Sequence, residues 1–254
     1  MKVTFGICPT NILNMIPTSS RVITSNLESD KRIDVKYSDA VIISNQFDDI
    51  NSFKDKDYKE YLINSFDSDV VLLSSIFFNE YSLKVLLNSG KRVVFGSSSC
   101  NTSTFNQIRK VLYDRGVNNL NNLIIVKGYV NRTTDLYSII KNWKDCELSY
   151  DNIDTLYECE DDYLLNYKHI LKDRKLVYVL DQICFHNKCR YCSWKNLPKV
   201  KFYKDIDQLS NNIKTMTRLF NYNKVFLANS YFIYSRENIK LLKNKLVFFM
   251  QVPF

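Results

Sequence analysis

Three closely spaced cysteines, Cys184, Cys189 and Cys192, are the residues of this chain best suited to bind a metal. Thiolates this close in sequence converge on one metal centre when the backbone between them folds as a loop. A structural zinc site requires a fourth protein ligand, which His186 could supply from the same segment. Three thiolates alone suit an iron–sulfur cluster in which one iron keeps a position open for a small molecule. The spacing therefore leaves zinc and iron as alternatives.

The segment before the cysteines is apolar and β-prone, and a helical pattern follows them. Residues 177–183 predict a strand, and residues 206–220 predict a helix. The cysteines are then expected on the loop that leaves the C-terminal end of a strand, where α/β folds place their chemistry. Two further strands are predicted at residues 224–228 and 246–251, with a helix at 236–244 between them.

The first 145 residues predict a doubly wound parallel sheet, because strand-like and helix-like segments alternate along them. Short continuous apolar runs, typical of parallel strands buried on both faces, indicate the strands. The predicted strands are residues 3–8, 40–44, 69–75, 92–96 and 123–126, and the predicted helices are 58–66, 81–88, 104–115 and 134–143. A polar, acidic stretch then predicts a linker over residues 146–172. The expected domains are therefore residues 1–145 and 173–254.

Small residues stand where the predicted strands of the first domain end. Ser74 and Ser75 end one strand, and Gly96 and Ser97 end the next. Ligands of open α/β sheets bind outside the carboxyl ends of the strands, where small side chains let them approach. These four residues are therefore candidates for a ligand site, although serine and glycine also serve simply to turn a chain.

The cysteine segment resembles the cluster loop of radical S-adenosylmethionine (SAM) enzymes, since four residues separate Cys184 from Cys189 and an aromatic residue precedes Cys192. This spacing is similar to that of family members with an N-terminal cobalamin-binding domain. The resemblance implies a four-iron four-sulfur (4Fe-4S) cluster on the three cysteines, with SAM on the fourth iron. It also implies an external electron donor, reductive cleavage of SAM to a 5′-deoxyadenosyl radical, and a small-molecule or macromolecular substrate that the sequence does not identify. Tyr191 matches the aromatic position near the SAM adenine. Asn229 and Ser230 stand where the family often has acidic or glycine-rich residues, near the SAM amino group, so the resemblance makes them candidates for that contact.

The first domain resembles the cobalamin-binding domain that precedes many radical SAM cores. Residues 69–75 are similar to its third strand, and residues 93–97 are similar to the strand beside the corrin ring. The resemblance implies that the four small residues line a cobalamin site and that the reaction can be methyl transfer. No histidine precedes His169 in this chain, so a cobalamin bound here would lack a histidine ligand from this domain.

The second domain is short for a radical SAM core, which is a partial barrel of six strand–helix units. Only about three strands fit between residue 177 and residue 254 at typical element lengths. The expected fold is therefore an N-terminal α/β domain followed by an incomplete (β/α) partial barrel, whose last strand offers an open edge. Two explanations of the missing units stay open: the N-terminal part of a longer or split enzyme, in which a second chain would complete the barrel, or a half-barrel that has been cut short.

Composition keeps two rival hypotheses open. The 254 residues are 45% hydrophobic and 24% charged, which is typical of a globular protein. No apolar run approaches the roughly 20 residues that span a membrane, and the seven cysteines show no disulfide framework, so a cytoplasmic protein is expected. The net charge of +8 and the basic loop after the cysteines fit a zinc-stabilised module that binds nucleic acid. An inactive radical SAM remnant that retains the cluster loop is the other rival.

Overall fold

The computed structural model describes the backbone of part of the chain, in fifteen stretches separated by gaps. The described residues are 1–6, 15–16, 18–38, 40, 55–75, 78–97, 100, 103–128, 130, 134–144, 146–150, 175–178, 206–220, 224–227 and 247–250. The predicted helix at 236–244 and most of the predicted linker lie outside these residues.

Ten strands and six helices occur in the described residues. The strands are β1 (Lys2–Gly6), β2 (Met15–Ile16), β3 (Asp34–Ser38), β4 (Val70–Ser75), β5 (Arg92–Ser97), β6 (Leu123–Gly128), β7 (Cys146–Tyr150), β8 (Lys175–Tyr178), β9 (Lys224–Leu227) and β10 (Val247–Met250). The helices are α1 (Thr18–Ser29), α2 (Asp55–Ser65), α3 (Glu80–Asn88), α4 (Phe105–Asp114), α5 (Leu136–Lys141) and α6 (Ile206–Phe220).

Six strands form one sheet in the order β3-β1-β4-β5-β6-β7, and every neighbouring pair is parallel. The chain starts in β1, moves outward to β3, and then crosses to β4 on the other side of β1. The reversal creates a topological switch point between β1 and β4, which is where sheets of this kind bind ligands. The α/β class and the parallel first sheet are as the sequence predicts.

Helices cover both faces of this sheet. On one face, buried side chains of α2, α3 and α4 form a single core with those of β4, β5 and β6, including Leu62, Leu83, Leu112, Leu73, Phe95 and Ile125. On the other face, the ring of Tyr37 lies 6.1 Å from the ring of Phe5. The Tyr37 hydroxyl donates to Glu28 Oε1 of α1 at 3.0 Å, which places α1 on that face.

A polar cluster joins α5 to the turn that follows α1. The Arg32 guanidinium contacts Asp30 at 2.7 Å and Asp135 at 3.1 Å, and it lies 4.3 Å from the centre of the Tyr137 ring. The hydrogen bond from Arg32 holds the pKa of the Asp30 carboxyl below its usual value. Because the Arg32 side chain is half exposed, water screens these charges, and the cluster orients the two elements more than it stabilises them.

Two edge strands differ from the sequence prediction. The strand beside β1 is β3, whereas the prediction places it at residues 40–44; Ala40 lies outside any strand, and residues 41–44 lie outside the described part of the chain. The sixth strand, β7, begins the range 146–172 that is predicted to be a linker. Both sequences, Asp-Val-Lys-Tyr-Ser and Cys-Glu-Leu-Ser-Tyr, alternate polar with apolar residues. Such alternation is typical of edge strands, and a search for continuous apolar runs misses it.

The sequence also does not predict α1. Its twelve residues, Thr-Ser-Ser-Arg-Val-Ile-Thr-Ser-Asn-Leu-Glu-Ser, contain many Ser, Thr and Asn side chains, which disfavour helix interiors. Burial accounts for the helix instead, since Ser20, Ser25 and Leu27 are completely buried. Tertiary packing therefore overrides local propensity in this segment.

A second sheet has four parallel strands in the order β10-β9-β8-β2. β9 and β10 match the prediction for the second domain, and α6 occupies residues 206–220 as predicted. β8 begins two residues before the predicted strand at 177–183, and residues 179–183 lie outside the described part of the chain. The side chains of Leu209 and Ile213 on α6 are completely buried. The fourth strand, β2, comes from the N-terminal part of the chain and was not predicted to join this sheet.

Helix α4, which packs on the first sheet, begins at a capping box. The contribution of this cap to stability can be tested by mutation. Thr104 Oγ1 accepts from the Gln107 backbone N–H at 3.2 Å, and Gln107 Oε1 accepts from the Thr104 N–H at 2.8 Å. Thr104→Ala is expected to lower the free energy of unfolding by about 1 kcal/mol, because the Gln107 N–H loses its acceptor. Urea denaturation, monitored by circular dichroism, measures this loss. Ser103→Ala, one residue earlier, is the control, and equal midpoints for the two variants would contradict the assignment.

Candidate functional site

The predicted metal and SAM residues follow strands that the structure describes, but they themselves lie outside the described residues. These residues are Cys184, Cys189, Cys192, Tyr191, Asn229 and Ser230, together with the alternative ligand His186. The strands before them end at Tyr178 in β8 and at Leu227 in β9.

Both strand ends lie at the same edge of the second sheet. β8 and β9 are parallel, with Tyr178 directly opposite Leu227, and β10 continues the register with Met250 opposite Leu227. The strands that precede the cysteine segment and the Asn229–Ser230 pair in the sequence are therefore adjacent and parallel. The carboxyl edge of such strands is where α/β folds bind ligands and carry catalytic groups. Within the described ranges, no group of three or more His, Cys, Asp or Glu residues could hold a metal ion.

The first sheet brings the four small residues together at its own carboxyl edge. Ser74 lies opposite Gly96, and Ser75 lies opposite Ser97, at the ends of β4 and β5. The end of β1 is next to them, since Gly6 lies opposite Leu73. The sequence prediction that the small residues share one edge therefore agrees with the strand register.

Ser75 has a structural role at this edge. Its side chain is buried, and its Oγ accepts from Asn79 Nδ2 at 2.7 Å. Asn79 is completely buried, and its backbone carbonyl accepts from the Leu83 N–H in the first turn of α3. The pair therefore anchors the start of α3 to the end of β4. Asn79 was missed by the sequence analysis, although an Asn directly before a helical pattern is a typical helix-start signal.

Ser74 and Gly96 lie on the opposite face from Ser75, because successive residues of a strand alternate between faces. A Cβ atom added at Gly96 would meet nothing closer than Val126 Cβ at 3.8 Å and Val126 O at 3.9 Å. These are ordinary van der Waals distances, so packing against the described residues does not require glycine at position 96. A glycine at the end of a buried strand suits the close approach of a ligand.

Gly6 provides the contrast at the end of β1. A Cβ atom there would lie 3.1 Å from Leu73 Cδ2 and 3.3 Å from Phe66 Cε1. Packing of the core therefore explains the glycine at position 6, and no ligand needs to be invoked for it. Ser74 and Gly96 share one face of the sheet at the ends of β4 and β5.

No protein-family model, curated protein or solved structure matches this chain. A functional assignment therefore rests on the residues of this chain and on the register of its strands. Among the helices of the described residues, none is long and apolar enough to cross a membrane.

Proposed function

We propose that this chain is a radical SAM-type enzyme that holds a four-iron four-sulfur cluster on Cys184, Cys189 and Cys192. The parallel register of β8 and β9 supports the proposal, because these adjacent strands precede the cysteine segment and the Asn229–Ser230 pair in the sequence. The β8-α6-β9 unit is of the kind that repeats in (β/α) barrels, which fits the start of a partial barrel.

The donor set favours a cluster over a closed zinc site. Three thiolates satisfy three irons and leave the fourth open to a small molecule, whereas structural zinc takes four protein ligands. When bound, the cluster supplies the electron for reductive cleavage of SAM, with an external donor to restore it. In this proposal Tyr191 lies beside the SAM adenine, and Asn229 and Ser230 lie near the amino group.

Metal analysis of anaerobically purified protein tests the proposal. A 4Fe-4S cluster is expected to give a brown protein with broad absorption near ~400 nm and iron and sulfide in equal amounts. Stoichiometric zinc without iron after anaerobic reconstitution would overturn the proposal. That result would favour the zinc-stabilised nucleic-acid-binding module, for which the net charge of +8 is the supporting observation.

The role of His186 separates the two metal sites. His186→Ala is expected to leave the iron content unchanged, because the three cysteines complete the protein's share of the ligands. The measurement is iron and zinc content by plasma emission after anaerobic reconstitution, with His169→Ala as the matched control on the other histidine. Loss of all metal from the His186 variant alone would indicate a Cys₃His zinc site.

For the first sheet we propose a cobalamin site at the carboxyl edge beside Ser74 and Gly96. The small residues at the ends of β4 and β5 support a ligand there, and the switch point between β1 and β4 lies at the same edge. Ser75 anchors α3 through Asn79, so we do not include it among the residues proposed to contact cobalamin. Since no histidine precedes His169, this domain would offer the cobalt no histidine ligand.

A size series at position 96 tests this site. Gly96→Leu is expected to lower cobalamin retention at least about tenfold, because the side chain would occupy the space in which the ligand approaches. Gly96→Ala is the matched control, since its Cβ would lie at ordinary contact distance from Val126. The measurements are cobalt content and the visible spectrum of the loaded protein. Equal retention by the wild type and the leucine variant would place any cobalamin elsewhere.

A further inference from the structure

The second sheet contains a strand from the N-terminal part of the chain. β2 pairs with the start of β8, with Met15 opposite Lys175 and Ile16 opposite Leu176. It occupies the side of β8 that β9 leaves open. Pro17 follows in the sequence and biases Ile16 toward extended conformations, which fits a short strand that ends where α1 begins. β2 therefore covers an edge of β8 that would otherwise expose its backbone groups.

Helix α1, which directly follows β2, is buried on more than one side. A helix on the surface of a domain usually buries a single stripe of side chains. The buried residues of α1 instead lie around most of its circumference: Ser20, Val22, Thr24, Ser25, Asn26 and Leu27. The helix contacts the first sheet through Glu28 and Tyr37, and it also contacts β8. Helix α1 thus lies between the first sheet and the strand that precedes the cysteines.

Two of the buried residues of α1 are serines without hydrogen-bond partners among the described residues. Ser20 and Ser25 are completely buried, and their Oγ atoms have no hydrogen-bond partner among the described residues. A buried hydroxyl without a partner is unfavourable, so hydrogen bonding does not explain these two residues. A serine is small, however, and lets a neighbouring layer approach the helix closely. Because the two residues are five positions apart, their side chains point about 140° apart around the helix.

We propose that Met15–Ser29 is a segment that positions β8, the strand that precedes the cysteines in the sequence. In this arrangement β2 pairs with β8 and α1 packs between β8 and the first sheet, so the first sheet fixes the position of β8. The role of the cysteines in binding a cluster rests on the proposed function, whereas the positioning of β8 does not. The same segment follows β1 after residues 7–14, so it connects the first sheet in sequence to the strand that pairs with β8.

Hydrogen–deuterium exchange of the full-length chain tests the positioning role. Ser20→Leu and Ser25→Leu each insert a large side chain between α1 and one neighbouring layer. One of the two is expected to raise the exchange of the Lys175–Tyr178 amides at least about tenfold while leaving β5 unchanged. Ser29→Leu, at an exposed position of the same helix, is the size-matched control. Ser25→Ala and Ser20→Ala remove only unpartnered hydroxyls and are expected to exchange like the wild type.

Two outcomes would overturn the inference. In the first, neither leucine variant changes the exchange of β8. In the second, every variant that affects β8 raises exchange in β5 equally, which would indicate general unfolding. Iron content of the reconstituted variants is a separate readout: the variant that loosens β8 is expected to lose iron that the wild type retains. If the wild type itself binds no iron, the proposed function fails, while the exchange data still decide whether Met15–Ser29 holds β8.

Discussion

Replacement of Cys184, Cys189 or Cys192 by alanine is expected to abolish the absorption near ~400 nm and to remove most of the iron. Each thiolate is one of only three protein ligands in the proposed cluster, so the loss of any one leaves two irons open instead of one. An incompletely ligated cluster is exposed to exchange and oxidation. The measurement is the visible spectrum together with iron and sulfide content after anaerobic reconstitution of each single variant.

Cys100→Ala is the matched control for these three variants. Cys100 is buried in the core that α2, α3 and α4 form on the first sheet, at 1% exposure. Its replacement removes a thiol from the same protein without touching the proposed ligands, so the iron content is expected to stay at the wild-type value. Full iron retention by all three ligand variants would refute the cluster assignment. Equal loss in the Cys100 variant would instead indicate a general effect of destabilisation.

Phe95→Ala is expected to lower the free energy of unfolding of the domain that contains the first sheet by about 3–5 kcal/mol. Phe95 is completely buried in β5, a central strand, and its ring meets the edge of Phe78 with centroids 5.8 Å apart. Truncation removes the apolar contacts of a large ring and leaves a cavity that three covering helices cannot readily close. Equilibrium unfolding in guanidinium chloride, followed by far-ultraviolet circular dichroism, measures the loss.

Tyr113→Ala provides the comparison on α4. Tyr113 is an aromatic residue at 70% exposure, so its truncation is expected to change the unfolding free energy by less than about 0.5 kcal/mol. A loss below about 1 kcal/mol for Phe95→Ala would show that the core between β4, β5 and β6 is not packed as described.

The central strands of the first sheet could be predicted from the sequence because burial on both faces leaves a continuous apolar run. Val-Val-Leu-Leu in β4 and Leu-Ile-Ile-Val in β6 are such runs. The edge strands β3 and β7 lack this signal, and α1 consists of residues that disfavour helices in isolation. These three elements form because of tertiary contacts, and a local sequence pattern does not reveal such contacts.

The candidate edge of the first sheet could be predicted in outline and not in detail. Parallel pairing brings the ends of β4 and β5 together whatever their side chains, so Ser74 and Gly96 were expected at one edge. The anchoring role of Ser75 depends on Asn79, which only the folded chain brings into contact. The pairing of β2 with β8 involves two residues on each strand and joins distant parts of the sequence. No periodicity in so short a segment could indicate its partner.

The pairing of β2 with β8 has a consequence for the order of assembly during synthesis. All six strands of the first sheet precede β8 in the chain, so that sheet can form while the later residues are still being translated. It then presents β2, already held next to α1, as an edge onto which a new strand can add. The spatial order β2-β8-β9-β10 is also the order in which the ribosome releases these strands. When β8, β9 or β10 leaves the ribosome, the strand it pairs with has already been synthesised. The second sheet can therefore grow in one direction from a folded template.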